Sequence, residues 1–207
     1  MTRTTRLLIV LAVTIGLFTC AGAVALIYSG VVSVAATDPH WTLIDWVFRT
    51  ARERSIKAHA AGLTPPSVLD EEQRILAGAG HYAAHCAGCH GAPGASESDL
   101  AHGLSPKPAR LREVTRRYSA GELFWIVKNG IKMTGMPSWA SHGDAQLWDI
   151  VAFLRKLPDL SPEQYERLIA AAAEDPELHH HPGAPGQGHV HPSGTPADNS
   201  THADEVR

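Results

Sequence analysis

The sequence predicts an all-α protein in which a single transmembrane helix precedes a small helical domain. Residues 7–37 carry no charged side chain, which exceeds the roughly 20 residues that an apolar helix needs to cross a bilayer. Apolar residues farther along recur at the three- and four-residue spacing of amphipathic helices, and no alternating run indicates a strand. The chain therefore divides into a cytoplasmic end at 1–6, a transmembrane anchor at 7–34, a juxtamembrane amphipathic segment and linker at 35–68, a helical domain at 69–173, and a disordered histidine-rich tail at 174–207.

Composition and charge exclude several classes of protein. Charged residues make up 19% of the 207 residues and the formal net charge is −3, so the chain has no basic field that would attract nucleic acid. Three cysteines allow at most one disulfide bond, which excludes a disulfide-rich framework. The informative features are therefore local motifs rather than overall composition.

The uncharged block is expected to anchor the chain in a bacterial cytoplasmic membrane. A secretory signal peptide usually has an apolar stretch of only about 7–15 residues, although Val34-Ala35-Ala36 resembles a cleavage site and leaves removal of the block open. Arg3 and Arg6 precede the block, and the positive-inside tendency places residues 1–6 in the cytoplasm. The helical domain is then expected on the periplasmic side.

The segment that follows the anchor has two interpretations. Aromatic and apolar residues at 41–48 are followed by cations at 49–57, an order that suits the headgroup region of a membrane. An amphipathic helix packed on the domain would show the same pattern. Leu63-Thr64-Pro65-Pro66 interrupts any helix and is expected to form a hinge before the domain.

Four helices are predicted in the domain itself. Acidic residues open the first, at 69–82, as the helix dipole favours, and this helix runs into the turn at Cys86. Ser-Ala-Gly-Glu at 119–122 has the pattern of a capping box that starts the second. Apolar residues at 147–157 mark the third, which ends at Pro158, and Ser-Pro-Glu opens the fourth, at 161–173.

The pentapeptide Cys86-Ala87-Gly88-Cys89-His90 is the attachment pattern of c-type heme. Thiols three positions apart on a helical turn can both reach one edge of a heme, and the next residue, His90, then supplies an imidazole to the iron. The chain has one such motif, so one covalently attached heme c is expected.

Three other interpretations of the cysteine pair remain. A thioredoxin-like Cys-x-x-Cys requires a βαβ pattern around it, and a plain disulfide would make His90 coincidental. A four-ligand zinc site needs a second pair of ligands at suitable spacing. The domain offers only histidines that are scattered along the sequence, namely His81, His85, His102 and His142.

A sixth iron ligand would distinguish electron transfer from ligand binding, and Met136 is the favoured candidate. It lies between Gly135 and Pro137, which fix the backbone and permit close approach, whereas a methionine that only fills a core usually recurs at helical spacing. Met133 is the next candidate, and His102 or His142 are further alternatives.

Residues 70–160 resemble a class I (mitochondrial-type) bacterial cytochrome c, in a membrane-anchored single-heme form. The resemblance rests on the Cys86–His90 motif and on Gly135-Met136-Pro137. It also includes a glycine and an aromatic residue, Gly78 and Tyr82, which precede the first heme cysteine by eight and four positions. The family packs these two residues on its last helix, where the partners here would be Ile150, Phe153 and Leu154.

The resemblance also implies a support for the proximal histidine. In this family a proline carbonyl accepts the second ring N–H of that histidine, which orients the ring and strengthens it as a ligand. Pro106 matches this proline, with Pro108 as a close rival. The expected heme-binding set is therefore Cys86, Cys89, His90, Met136 and Pro106.

The resemblance implies an electron carrier rather than an enzyme. With His90 and Met136 on the iron, no open site remains for oxygen or peroxide, and neither nucleic acid nor a small-molecule substrate is needed. The expected function is to carry single electrons between respiratory or periplasmic redox partner proteins. The alternative is an electron-transfer heme subunit of a periplasmic dehydrogenase or oxidase complex. Two interpretations apply to a group of cations in the domain, an ordinary solvated face or a basic rim that steers an acidic redox partner. The group consists of Lys107, Arg110, Arg112, Arg116, Arg117, Lys128 and Lys132.

The tail has a composition of its own. Its proline, glycine, serine and acidic residues provide too little apolar surface to form a core, so the simplest interpretation is a flexible solvated segment. Its histidines could also bind copper, nickel or zinc loosely, and metal binding through the tail is a third functional hypothesis. The candidate ligands are His179, His180, His181, His189 and His191.

Overall fold

The computed structural model describes residues 2–38 and 41–175, and all regular elements in these ranges are helical. The α-helices are α1 Arg3–Tyr28, α2 Thr42–Ala60, α3 Glu72–His85, α4 Ala87–His90, α5 Asp99–Gly103, α6 Leu111–Val114, α7 Ala120–Asn129, α8 Gly143–Lys156 and α9 Pro162–Glu174. Short 3-10 turns occupy Thr115–Arg117, Ala140–His142 and Leu157–Asp159. The predicted all-α class is confirmed.

Helix α1 has the length and composition of a membrane-spanning helix. It contains 26 residues, its most apolar window has a mean hydropathy of 2.5, and none of that window is buried in the protein. The helix ends at Tyr28, earlier than the residue 34 expected from the sequence. Gly30 is the reason, because it adopts the left-handed conformation (φ 70°) that terminates helices.

Helix α2 has two dissimilar halves. Ile56 and Ala60 in the second half are 1% and 7% exposed, and the His59 ring stacks on Trp125 of α7 with centroids 5.5 Å apart. This half therefore packs on the domain, as one of the two interpretations expects. The first half leaves an apolar surface uncovered, formed by Trp41, Leu43, Ile44, Trp46, Val47 and Phe48.

The link between α2 and α3 is part of the domain rather than a hinge before it. Gly121 of α7 lies so close to this link that a Cβ built on it would be 2.6 Å from the Leu63 carbonyl oxygen. Leu69 is 3% exposed and belongs to the main core. The packed part of the chain therefore begins at about Ile56, ahead of the boundary expected at residue 69.

The core forms around α8, which packs against α3 and α7, while α9 packs on α3. The Tyr82 ring of α3 lies 5.0 Å from Phe153 of α8 and 6.4 Å from Tyr165 of α9, measured between centroids. These three rings join the three helices beneath the cysteine motif. The fully buried residues around them include Ala79, Leu147, Val151 and Leu157.

Two capping boxes fix where α7 and α9 begin. The Ser119 side chain accepts a hydrogen bond from the Glu122 N–H, and the Glu122 carboxylate accepts one from the Ser119 N–H. Ser161 and Gln164 exchange the same pair of bonds, with Pro162 at the first helical position. Both helix starts agree with the sequence, because a cap depends only on residues within one turn.

Candidate heme-binding site

The cysteine motif forms a single helical turn directly after α3. Cys86 ends α3, and its carbonyl accepts hydrogen bonds from the N–H groups of Cys89 and His90 at 3.1 and 2.9 Å. Both thiols are free and half-buried. Burial and the neighbouring Cys89 raise the pKa of the Cys86 thiol to about 12. The motif thus presents two free thiols and an imidazole on one compact turn.

A backbone carbonyl fixes the imidazole of His90. Its Nδ1 lies 2.8 Å from the Ala109 carbonyl oxygen, so Nδ1–H donates to that oxygen and Nε2 is left to bind a metal. Burial lowers the pKa of His90, and the bond to Ala109 opposes that shift. The ring is therefore neutral and oriented, which is the state that an iron ligand requires.

The expectation that Pro106 supplies this carbonyl is wrong. The acceptor is Ala109, three residues after Pro106 and one after its rival Pro108. Pro108 lines the cavity beside His90, whereas Pro106 lines a different cavity. The support for His90 is the one that the sequence suggested, but a different residue provides it.

A cavity of about 820 Å³ adjoins the motif. Cys89 and His90 form one wall, and the segment with Lys107, Pro108 and Arg110 forms another. Its size lies within the roughly 300–1,000 Å³ typical of cofactor sites. The two free thiols and the oriented imidazole of the motif form a donor set that fits a covalently attached heme.

Met136 lies on a loop that hydrogen bonds hold against α7. The Met136 carbonyl accepts from Ile131 N–H at 3.2 Å, and its N–H donates to the Thr134 hydroxyl at 3.1 Å. Trp139 N–H donates to the carbonyls of Val127 and Lys128 on α7. Met136 itself is half-buried and does not line the 820 Å³ cavity.

The methionine loop nevertheless adjoins the segment that supports His90. A Cβ built on Gly135 would lie 2.7 Å from Cδ2 of Leu104, five residues before Ala109. Met133 differs from Met136, since it is 80% exposed, has φ 58° and lines a second cavity, of about 1270 Å³, together with Pro106.

The other candidate iron ligands lie elsewhere. His102 is exposed, with its Nε2 3.8 Å from a Glu97 carboxylate oxygen. His142 groups with His81 and His85, an arrangement that the sequence did not predict because His142 is far from the other two in the chain. The tail candidates His179, His180, His181, His189 and His191 lie outside the described residues.

Several cations of the expected basic rim are already paired. Arg110 contacts Glu97 at 2.7 Å, Lys128 contacts Asp144 at 2.5 Å, and Arg116 forms an ion pair with Asp159. The hydrogen bond from Arg110 and the charge of its guanidinium group also lower the pKa of the Glu97 carboxyl group. The rim therefore presents less uncompensated charge than its sequence suggests.

Residues 73–154 match the family model described as cytochrome C oxidase, cbb3-type, subunit III. The matched region begins in α3, contains the cysteine motif and the methionine loop, and ends near the end of α8. No curated protein matches the chain.

Proposed function

We propose that this chain, which carries a class I-like c-type cytochrome domain with covalently bound heme c, is a membrane-anchored single-heme carrier of electrons between respiratory or periplasmic redox proteins. The observation that carries the proposal is the Nδ1–H hydrogen bond from His90 to the Ala109 carbonyl beside two free thiols. This bond leaves Nε2 free to bind the iron of a heme whose vinyl groups would form thioethers with Cys86 and Cys89. When bound, heme c supplies reversible one-electron oxidation and reduction.

Met136 is proposed as the second axial ligand. Its half-buried side chain and hydrogen-bonded loop support this role, whereas the 80% exposure of Met133 is what a solvated side chain shows. A thioether and an imidazole would together complete the protein ligands of the iron and would raise its reduction potential relative to two histidines. Electron transfer then needs no catalytic acid, base or nucleophile.

The membrane anchor is proposed from α1 and the exposed half of α2. Helix α1 carries no charged side chain from Leu7 to its end at Tyr28. The uncovered aromatic residues Trp41 and Trp46 are of the kind enriched at headgroup level. Arg3 and Arg6 favour the cytoplasmic side for residues 1–6, so the heme domain is proposed to lie on the periplasmic side of a bacterial cytoplasmic membrane.

The second candidate function is an electron-transfer heme subunit of a periplasmic dehydrogenase or oxidase complex. The description of the matched family as an oxidase subunit favours it. Detergent extraction followed by size-exclusion chromatography separates the two candidates. Migration with a large redox-active partner supports the subunit, and migration as a heme-containing chain alone supports the carrier.

Spectra of Met136→Ala and Met133→Ala test the proposed site. The wild type and Met133→Ala should both bind heme covalently and show the weak long-wavelength ferric band of sulfur ligation, which Met136→Ala should lose. Covalent heme in Met136→Ala, retained after acid-acetone extraction, would show that the variant folds. Persistence of the band in Met136→Ala would overturn the ligand assignment, and a colourless wild type from a maturation-competent cell would overturn the function.

A further inference from the structure

Three histidines from two separate parts of the chain lie together beside the heme attachment motif. His81 and His85 are four residues apart on α3 and therefore lie on one face of it. His142 ends the 3-10 turn ahead of α8. One nitrogen from each ring lies within 4.8 Å of the other two. The function proposed above uses none of these side chains.

The buried nitrogen of His85 supplies a second, independent observation. Within the part of the chain that the structure describes, Nε2 of His85 is a buried side-chain polar atom without a hydrogen-bond partner. Such an atom is costly and uncommon in native proteins, and an ion or water that fills the site is a frequent reason for it. The lone pair of a neutral imidazole nitrogen is also the group that a transition metal binds.

An aromatic side chain packs against two of the three imidazoles. The Trp139 ring lies 5.1 Å from the rings of both His85 and His142, measured between centroids. Burial, and to a lesser extent His142, lower the pKa of His85 and so favour the neutral ring that can bind a metal. The tryptophan thus forms one wall of a site that the three imidazoles surround.

We propose that His81, His85 and His142 form a binding site for a divalent transition-metal ion of the Zn²⁺ or Cu²⁺ class. Two histidines at i and i+4 on a helix are a recurrent half-site for Zn²⁺, and His142 completes a three-imidazole set with water in the fourth position. Tetrahedral Zn–N bonds of about 2.0–2.1 Å place ligand nitrogens roughly 3.3 Å apart. Side-chain rotations that shorten the present separations complete the site.

The site is distinct from both other candidate metal sites of the chain. His90 and Met136 are assigned to the heme iron, and the tail histidines belong to another segment. The metal-binding capacity of the tail histidines must therefore be removed in any test of the cluster. A full-length parent in which the six histidines between residues 179 and 202 are replaced by alanine leaves the cluster intact.

The experiment is calorimetric titration of the heme-loaded parent with Zn²⁺ after removal of bound metal with a chelator. We expect the parent to bind one equivalent. His142→Ala and His81→Ala should each weaken the affinity at least about tenfold. His102→Ala is the matched control, because His102 is exposed and lies outside the cluster. It should bind Zn²⁺ like the parent.

An unchanged heme spectrum in each variant would show that the domain has folded and that any loss of Zn²⁺ binding is local. Absence of Zn²⁺ binding to the parent, or equal binding by the parent and both cluster variants, would overturn the proposal. A repeat titration with Cu²⁺, read by electron paramagnetic resonance, should give a nitrogen-ligated signal in the parent that His142→Ala alters. An identical Cu²⁺ signal in the parent and the variant would count against the site.

Discussion

The backbone carbonyl of Asp149 fills the space that a side chain on Gly78 would need. A Cβ built on Gly78 would be 1.9 Å from that oxygen and 2.9 Å from Cβ of Phe153. Helices α3 and α8 therefore touch through their backbones at this point. The ion pair between Arg74 and Asp149, at 2.6 Å, links the same helices. This contact sets the position of α3, and α3 leads directly into the cysteine motif.

Replacing Gly78 with alanine should force the two helices apart. Overpacking of a core costs about 1–3 kcal/mol, and a clash with backbone atoms belongs at the upper end because no flexible side chain can give way. We expect Gly78→Ala to lower the free energy of unfolding by about 3 kcal/mol, measured by chemical denaturation of the heme-loaded protein.

Gly80→Ala is the matched control on the same helix. A Cβ on Gly80 would meet only Cβ of Ala172, at an ordinary 3.5 Å. Alanine favours helix over glycine by up to about 1 kcal/mol, so this variant should be as stable as the wild type or more so. Equal destabilisation of both variants would contradict the special role of the Gly78 contact.

Tyr82→Phe should destabilise the fold without disturbing its packing. The Tyr82 hydroxyl donates to the Gly91 carbonyl at 2.5 Å, and Gly91 directly follows His90. The substitution removes this bond and leaves an unpaired acceptor, at a cost of about 1–2 kcal/mol at neutral pH. Denaturation of the two proteins at pH 7 measures the difference.

The buried hydroxyl group of Tyr82 should also make the free energy of unfolding depend on pH in the alkaline range. Burial, with smaller contributions from Cys86 and Tyr165, raises the pKa of Tyr82 well above its ordinary 10.0. The phenol therefore loses its proton near pH 10 in the unfolded chain but keeps it in the folded protein. Tyr82 stabilises the fold fully below pH 10, and this contribution to the free energy of unfolding is lost as the pH rises further. Above pH 10, the free energy of unfolding should fall more steeply with pH in the wild type than in Tyr82→Phe. The difference between the two slopes should be up to about 1.4 kcal/mol per pH unit. Parallel profiles above pH 10 would refute this explanation.

Gly130→Ala should disturb the methionine ligand specifically. Gly130 has φ 65°, and a Cβ on it would lie 2.6 Å from the carbonyl carbon and oxygen of Pro137, next to Met136. Gly143→Ala is the matched control. Gly143 also has a positive φ, of 71°, so both variants carry the same kind of backbone strain, but a Cβ on Gly143 would meet open space. We expect weakening of the sulfur-ligation band in Gly130→Ala only. Equal weakening in both would point to general destabilisation instead.

Lys132 is the better test of the basic rim than Lys128. The Lys128 ammonium group contacts Asp144 and lies 5.4 Å from the centroid of the Phe124 ring, whereas Lys132 is exposed next to the methionine loop. Lys132→Glu should slow oxidation of the reduced protein by ferricyanide, an anionic oxidant, at low ionic strength and not at high salt. Stopped-flow absorbance measures the rate.

Arg167→Glu on α9 changes the net charge by the same amount and serves as the control. It should alter the ferricyanide rate much less than Lys132→Glu, because a charge close to the proposed ligand Met136 would act on the approaching anion more strongly than net charge does. Equal slowing in the two variants would show that only net charge matters.

What the sequence predicted well depended on residues that are close together in the chain. The capping boxes at Ser119 and Ser161 and the turn of the cysteine motif each lie within a few residues, so their side chains identify them. The pairing of Tyr82 with Phe153 was also anticipated, from the resemblance to a known family.

Two features could not be read from the sequence, for different reasons. Every residue has a backbone carbonyl, so no side-chain pattern singles out Ala109 over Pro106 as the partner of His90. The histidine cluster needs His142 beside α3, and only the packing of α8 on α3 brings it there. The sequence does show that His81 and His85 are four residues apart on a predicted helix, which places two of the three histidines on one face.

The packed second half of α2 limits how far the domain can travel from α1. Because the second half of α2 packs on α7, the chain between α1 and this packed half consists of residues 29–41 and the first turns of α2. Even fully extended, thirteen residues span at most about 45 Å. If α1 is the membrane anchor proposed above, a connection this short would keep the heme domain close to the lipid surface, where it would reach redox partners by lateral diffusion rather than through bulk solvent.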